Sequence, residues 1–211
     1  MPAPDLNQLQ AGPEGLLDWL DGNLLMSGPV QNVLNPPGTA WATILPRQPM
    51  FPGGPAPVAV NRFGVPMDVF DLRSNGAGAH NGVPAYICNY TANQYHSVDI
   101  GNAADFCFTT NLNGCTFGIG PVVNNTRRVT HSNHGGNTLL QRADIQAANG
   151  VGPNLAGVTL LEPAQYRRLG GGGALQATVF GIRSGMNWRF YFQSYTAING
   201  TSFQVHGVFP I

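Results

Sequence analysis

The sequence predicts an α+β, β-rich fold: a β-sandwich of mixed and antiparallel strands flanked by short helices. Three observations lead there. The 211 residues include 28 Gly and 17 Pro, which long helices do not tolerate. From residue 58 onward, β-prone runs alternate with turn dipeptides such as Asn81-Gly82 and Asn113-Gly114. Helical periodicity is confined to a few short stretches, and there is no internal repeat. The length fits a single core-bearing body. Residues 1–60 read as an N-terminal arm, a short helix and a Pro-rich segment packed on that body, and residues 61–211 as the β-sandwich domain.

Taken in order, residues 1–12 are polar and extended. The run from Pro13 to Leu20 predicts a short helix, with Pro13 at its first position and Glu14 favoured by the N-terminal dipole. Leu16, Leu17, Leu20 and Leu24 form its apolar face, and Gly22 ends or bends it. Residues 28–57 carry eight prolines, each removing a backbone donor, so the stretch is extended, with a short edge strand over 41–45. Strands are expected at 58–62, 67–72, 85–90, 96–100, 105–111, 116–119 and 127–131. A helix is expected over 137–146, with Leu139, Leu140, Ala143 and Ala147 on one side. Residues 161–169 form a second short helix or a loop, and Gly170–Gly173 is a connector. Three further strands fill 174–182, 187–195 and 202–209. Alternation and turn chemistry at this density are what place the layers face to face.

Composition narrows the function. Only 9% of residues are charged and the formal net charge is zero, so nothing favours nucleic acid or an anionic membrane as a partner. All ten basic residues are arginine. That fits either an arginine-preferring genome or a protein that offers no side-chain amine to ubiquitin inside a eukaryotic cell. Three cysteines, at 88, 107 and 115, leave at least one thiol unpaired within the chain. No spacing resembles a metal site, and no organic cofactor motif is present, so neither metal nor cofactor is expected. No run is long and apolar enough to span a membrane, and the N-terminus lacks the basic start and apolar core of a signal peptide. A monomer is expected.

One stretch concentrates chemistry. Cys115 sits on the Asn113-Gly114 turn between two β-prone runs, and His131 ends the next run sixteen residues later. Strand pairing can bring the two together as a thiolate nucleophile and an imidazole base. Gly114 lets a substrate approach the backbone, and the amide of Cys115 can hold an oxyanion. Leu112, Asn113 and Gly114 are therefore placed at the substrate and oxyanion side. Thr109 and Thr110 offer hydroxyls and carbonyls to orient the imidazole. His134 is the rival base or lines the site. Cys88 and Cys107 are expected buried and inert.

Leu112-Asn113-Gly114-Cys115 followed by Val129-Thr130-His131 resembles the cytotoxic-necrotizing-factor-type glutamine deamidase toxins, and within them the small, single-domain lethal-factor branch. Ser97-Val98-Asp99 and Phe108-Thr109 extend the match upstream; Val179 to Gly185 and Phe192-Gln193-Ser194-Tyr195 extend it downstream. It covers about residues 65–205 at low identity. Asn113 stands where serine is common, the Cys-to-His gap is a few residues longer, and residues before about 60 have no counterpart. The resemblance implies catalytic Cys115 and His131, with Thr109 orienting the histidine. It implies a secreted or injected bacterial effector that acts in the host cytoplasm and deamidates one glutamine of a host protein. The implied partner is a translation-initiation RNA helicase, where the change stalls translation, or a Rho-family small GTPase, where it locks the active state. Transglutamination or proteolysis by the same pair, and a non-catalytic β-sandwich binding module, are the alternatives.

Overall fold

The computed structural model describes residues 13–27, 39–75, 82–169 and 174–211. Helix α1 (Pro13–Gly22) leads into β1 (Asn23–Ser27). Strands β2 (Thr39–Pro46), β3 (Val58–Asn61), β4 (Pro66–Asn75), β5 (Val83–Cys88), β6 (Gln94–Ile100) and β7 (Phe106–Thr109) follow. Then come β8 (Thr116–Val123), β9 (Thr126–Asn133), helix α2 (Thr138–Asn149), β10 (Thr159–Leu161) and the short α3 (Pro163–Tyr166) with a 3₁₀ turn over Arg167–Leu169. The chain ends in β11 (Ala174–Ser184), β12 (Asn187–Ala197) and β13 (Ser202–Pro210). The turn at Asn81 and the Gly170–Gly173 connector lie outside the described residues.

The sandwich expectation is wrong. Eight strands run in the order β4-β2-β5-β7-β11-β12-β13-β3, and β3 pairs back onto β4, closing a barrel. The closure rests on Ala59 and Val60 opposite Met67 and Pro66. A second, antiparallel sheet, β10-β8-β9-β6, lies outside the barrel. Sandwich and barrel both need one apolar face per strand at period two. The alternation in the sequence therefore could not separate them; what does is a pairing between the sheet's two ends. The barrel is mixed, with β5–β7 and β13–β3 parallel.

Strand alternation sorts the apolar side chains into two compartments. Ala85, Ile87, Phe106, Phe108, Phe180 and Ile182 form one core with Leu16 and Leu20 of α1. The intervening residues Tyr86, Cys88, Cys107 and Val179 pack instead with Phe117, Ile119 and Val129 of the small sheet. The barrel wall is thus apolar on both faces along β5, β7 and β11. Each of the large side chains buried here contributes roughly 1.5–3 kcal/mol of transfer free energy.

Leu24 departs from expectation. It belongs to β1, not to the helix, because Asn23 Nδ2 donates to the Trp19 carbonyl at 2.7 Å and the chain turns. Strand β1 pairs in parallel with β4 and is almost wholly buried. Gln193 of β12 fastens it: its Oε1 accepts from the Leu25 N–H at 2.9 Å, and its Nε2 donates to the Asn23 and Leu20 carbonyls. The last residue, Ser27, grips the end of β7. Its hydroxyl donates to the Thr109 carbonyl, and its N–H donates to Asn111 Oδ1 at 2.9 Å.

Helix α2 also turns a different face inward. Leu139 and Leu140 are exposed, whereas Gln141, Ile145 and Ala148 are buried. Counting apolar residues alone missed this, because the buried face includes a polar glutamine that the small sheet satisfies. Asn137 caps the helix by accepting from the Leu140 N–H, and Gly150 ends it at φ 62°. The helix lies against β8 and β9 on the side away from the barrel, and Gly118 gives Ile145 the room to approach. No described helix is long and apolar enough to cross a membrane.

Candidate active site

The Asn113-Gly114 turn delivers Cys115 to the start of β8. Gly114 adopts φ +87°, a left-handed conformation that suits glycine. Ahead of it, Leu112 exchanges backbone hydrogen bonds with Ala177 of β11, at 2.7 and 3.0 Å. Leu112 is fully buried and anchors the turn. Asn113 is exposed at the turn.

Strand pairing brings the histidine across. His131 is the direct partner of Phe117 in the β8–β9 ladder, and Cys115 lies two residues further along. Side chains two apart share a face, so Cys115 and His131 are diagonal neighbours, at about 7 Å between backbones. Both face the barrel; Cys115 is 4% exposed and His131 0%.

Two threonines at the end of β7 hold the imidazole. Thr109 Oγ1 lies 2.8 Å from His131 Nδ1, and Thr110 Oγ1 lies 3.2 Å from it. The Thr109 hydroxyl gives its one proton to the Cys88 carbonyl at 2.6 Å. It must therefore accept from the ring, which fixes the proton on Nδ1. The other nitrogen, Nε2, is buried and has no hydrogen-bond partner. An unpaired acceptor at full burial costs roughly 1–3 kcal/mol, and such a group is a candidate for chemistry. The Tyr90 ring lies 5.8 Å from the imidazole, tilted by 31°.

The electrostatics define the resting protonation state. Burial, with a smaller contribution from His96 opposite on β6, pushes His131 down to about 3. Burial also pushes the Cys115 thiol up, while the Asn113 backbone and the Arg167 guanidinium work against that. The unliganded pair is a neutral thiol and a neutral imidazole, not the thiolate expected from the sequence. The reason is desolvation, which penalises both charged forms. Cys88 is pushed up to about 12 and Cys107 well above the ordinary thiol value, both chiefly by burial.

The turn itself is clamped from both sides. The Gly114 N–H donates to Tyr166 Oη at 2.8 Å, and that hydroxyl donates to the Cys115 carbonyl at 3.1 Å. Gln141 Nε2 donates to the Gly114 carbonyl at 2.8 Å, and Gln141 Oε1 accepts from the Thr116 hydroxyl at 2.5 Å. The Gly114 amide is thus unavailable to a substrate. The Cys115 amide, which points the opposite way from the Gly114 carbonyl across a trans peptide, is the oxyanion donor that this turn leaves.

His134 lies elsewhere. Its Nε2 is 2.7 Å from Asp144 Oδ2 of α2, and the same oxygen accepts from Ser132 Oγ at 2.6 Å. That places it on the α2 face of the small sheet, opposite His131. Gln141, Tyr166 and Arg167 were not singled out from the sequence. They come from α2 and from α3 with its 3₁₀ turn, 26 to 52 residues beyond Cys115, and no local pattern marks them. Among the described residues no group of three or more His, Cys, Asp or Glu is placed to hold a metal ion.

No protein-family model matches the chain, and no curated protein matches it in sequence. The functional reading therefore stands on the site's own geometry and on the resemblance of its motifs.

Proposed function

We propose that the protein is a cysteine–histidine glutamine deamidase that acts on a side-chain carboxamide of another protein. The observation that carries the reading is the His131 ring. Its Nδ1–H is committed to Thr109, and its buried Nε2 lone pair is unpaired on the face it shares with Cys115. A histidine with only a packing role has no need of that arrangement.

The steps follow from the protonation state. Nε2 takes the thiol proton as Sγ attacks the carboxamide carbon. The carbonyl oxygen becomes an oxyanion, met by the Cys115 amide. The imidazolium returns its proton to the nitrogen, the C–N bond breaks and ammonia leaves a thioester. Water then gives one proton to Nε2 and attacks the thioester; the C–S bond breaks, the thiol regains the proton, and glutamate is released. The balance is carboxamide plus water to carboxylic acid plus ammonia. Burial of both groups suits a proton transfer made only as the substrate expels water.

The motif resemblance supports a host-protein substrate, either a Rho-family GTPase or the translation-initiation RNA helicase, with the protein delivered by a bacterium into the host cytoplasm. Purified GTPase and purified helicase, each incubated with the wild type and with Cys115→Ser, test this by peptide mass spectrometry. The expected result is a glutamine-to-glutamate conversion in one of them, with the wild type only. Cleaved substrate, or an added amine incorporated in place of water, would replace deamidation by proteolysis or transglutamination. No change in either protein, together with an inert Cys115, would remove the enzymatic reading.

A further inference from the structure

Arg167 directly follows Tyr166, whose hydroxyl joins the Gly114 amide to the Cys115 carbonyl. Its side chain overhangs the same turn. Arg167 Nη2 lies 3.1 Å from the point where a Cβ on Gly114 would stand. A side chain at position 114 would push the guanidinium away, so the missing Cβ keeps the cation beside the nucleophile's backbone.

The charge is not spent elsewhere. Arg47, Arg73, Arg128, Arg142 and Arg183 each meet a carboxylate. The Arg167 side chain meets neither a carboxylate nor a hydrogen-bond partner among the described residues; only its backbone N–H is bonded, to the Pro163 carbonyl. It is exposed, so it is reached from solvent and does not support the core. Its field favours the anionic form of the Cys115 sulfur.

We infer that Arg167 is the charge partner of the reaction: its guanidinium compensates the negative charge that passes from the Cys115 sulfur to the carboxamide oxygen. This rests on the cysteine–histidine reading above. Each of those negative charges forms beside the buried Cys115, where His131 becomes a cation only after it has taken the proton. A fixed guanidinium costs no reorganisation when the charge moves, which is how preorganised cations lower such barriers. A substrate in which an acidic side chain flanks the glutamine would be drawn to the same group.

The test reads charge at the thiol directly. Full-length protein is alkylated with neutral iodoacetamide and with anionic iodoacetate across pH 6–10, and modification of Cys115 is followed by peptide mass spectrometry. Arg167→Gln is expected to lower the iodoacetate-to-iodoacetamide rate ratio roughly fivefold and to move the pH midpoint of alkylation upward. Arg167→Lys should restore most of the ratio, and Arg168→Gln, one residue away, should leave it unchanged. In the wild type, 1 M salt should lower the ratio as well, a result that needs no variant to fold. A ratio and midpoint identical in wild type and Arg167→Gln, or a wild-type ratio that salt does not move, would overturn the role of Arg167 while leaving a reactive cysteine–histidine pair intact. A wild-type Cys115 that neither reagent modifies at any of these pH values would overturn both.

Discussion

Thr109 holds His131 by its Nδ1 at 2.8 Å while giving its own proton to the Cys88 carbonyl. The threonine is thus a relay between a backbone carbonyl on β5 and the imidazole, and it selects one tautomer. Thr109→Val keeps the shape and removes the relay. Thr110 Oγ1, at 3.2 Å, is then the only hydroxyl left at Nδ1. We expect ammonia release from the substrate to fall in kcat by on the order of tenfold to a hundredfold, with KM little changed. Thr109→Ser should keep most of the rate. A Thr109→Val enzyme as fast as Thr109→Ser would remove the tautomer argument.

Gln141 holds the Gly114 carbonyl from the helix side, and it is fully buried. Gln141→Leu leaves that carbonyl and the Thr116 hydroxyl without their partner. The expected loss of stability is roughly 2–4 kcal/mol for two buried polar groups left unsatisfied. The turn would also lose its fixed orientation, so activity should fall more than the folded fraction does. Chemical denaturation and a rate normalised to folded protein separate the two effects. A variant that is destabilised yet fully active per folded molecule would make Gln141 purely structural.

The Cys115–His131 pair was legible in the sequence because β8 and β9 are adjacent strands, so one turn and a period of two bring the two residues to one face. Thr109 reaches His131 from β7 in the other sheet, a contact that strand pairing alone does not predict. The clamp around them was not legible. Gln141 reads as a polar residue on a surface helix, and Tyr166 and Arg167 sit in a segment that reads as either a short helix or a loop. Strand β1 was hidden for a different reason. Its leucines continue the helical spacing of α1, which places Leu24 on the helix's apolar face by pattern, although Ser27 at the strand's end secures the carbonyl of Thr109. Barrel closure depends on β3 meeting β4 and β13 at once, and no pattern within a strand encodes that.

Gly118 decides how closely α2 approaches the small sheet. A Cβ there would lie 2.5 Å from Ile145 Cγ2, inside any real contact. Gly118→Ala should destabilise the protein by about 1–3 kcal/mol, because the helix must shift or Ile145 must leave its rotamer. Ile145→Ala, which removes the Cγ2 that the new methyl would strike, should cost about 2–5 kcal/mol on its own. The double variant should be more stable than the sum of the two changes predicts, by about 0.5 kcal/mol or more, since the smaller side chain makes room for the added methyl. Urea denaturation of the four proteins gives this cycle. Strict additivity would show that the two positions do not press on each other.

His131 gives the protein a pH-dependent stability with a definite sign. Its folded value is pushed down from 6.5 to about 3 by burial, so the native state refuses a proton that the unfolded chain accepts. Its contribution is complete above pH 6.5, is lost progressively as pH falls from about 6.5 towards 3, and does not change further below that. Within that window the slope attributable to one such group approaches about 1.4 kcal/mol per pH unit. His96 and His206 are shifted in the same direction by burial, so the wild type alone does not isolate the effect. His131→Gln does, because it removes one titrating group and keeps the others. Urea midpoints measured between pH 7 and pH 4 should fall more steeply for the wild type than for His131→Gln. Parallel curves would mean that His131 is protonated in the folded protein near its ordinary value, and the neutral imidazole required for taking the thiol proton would no longer be assured below neutral pH.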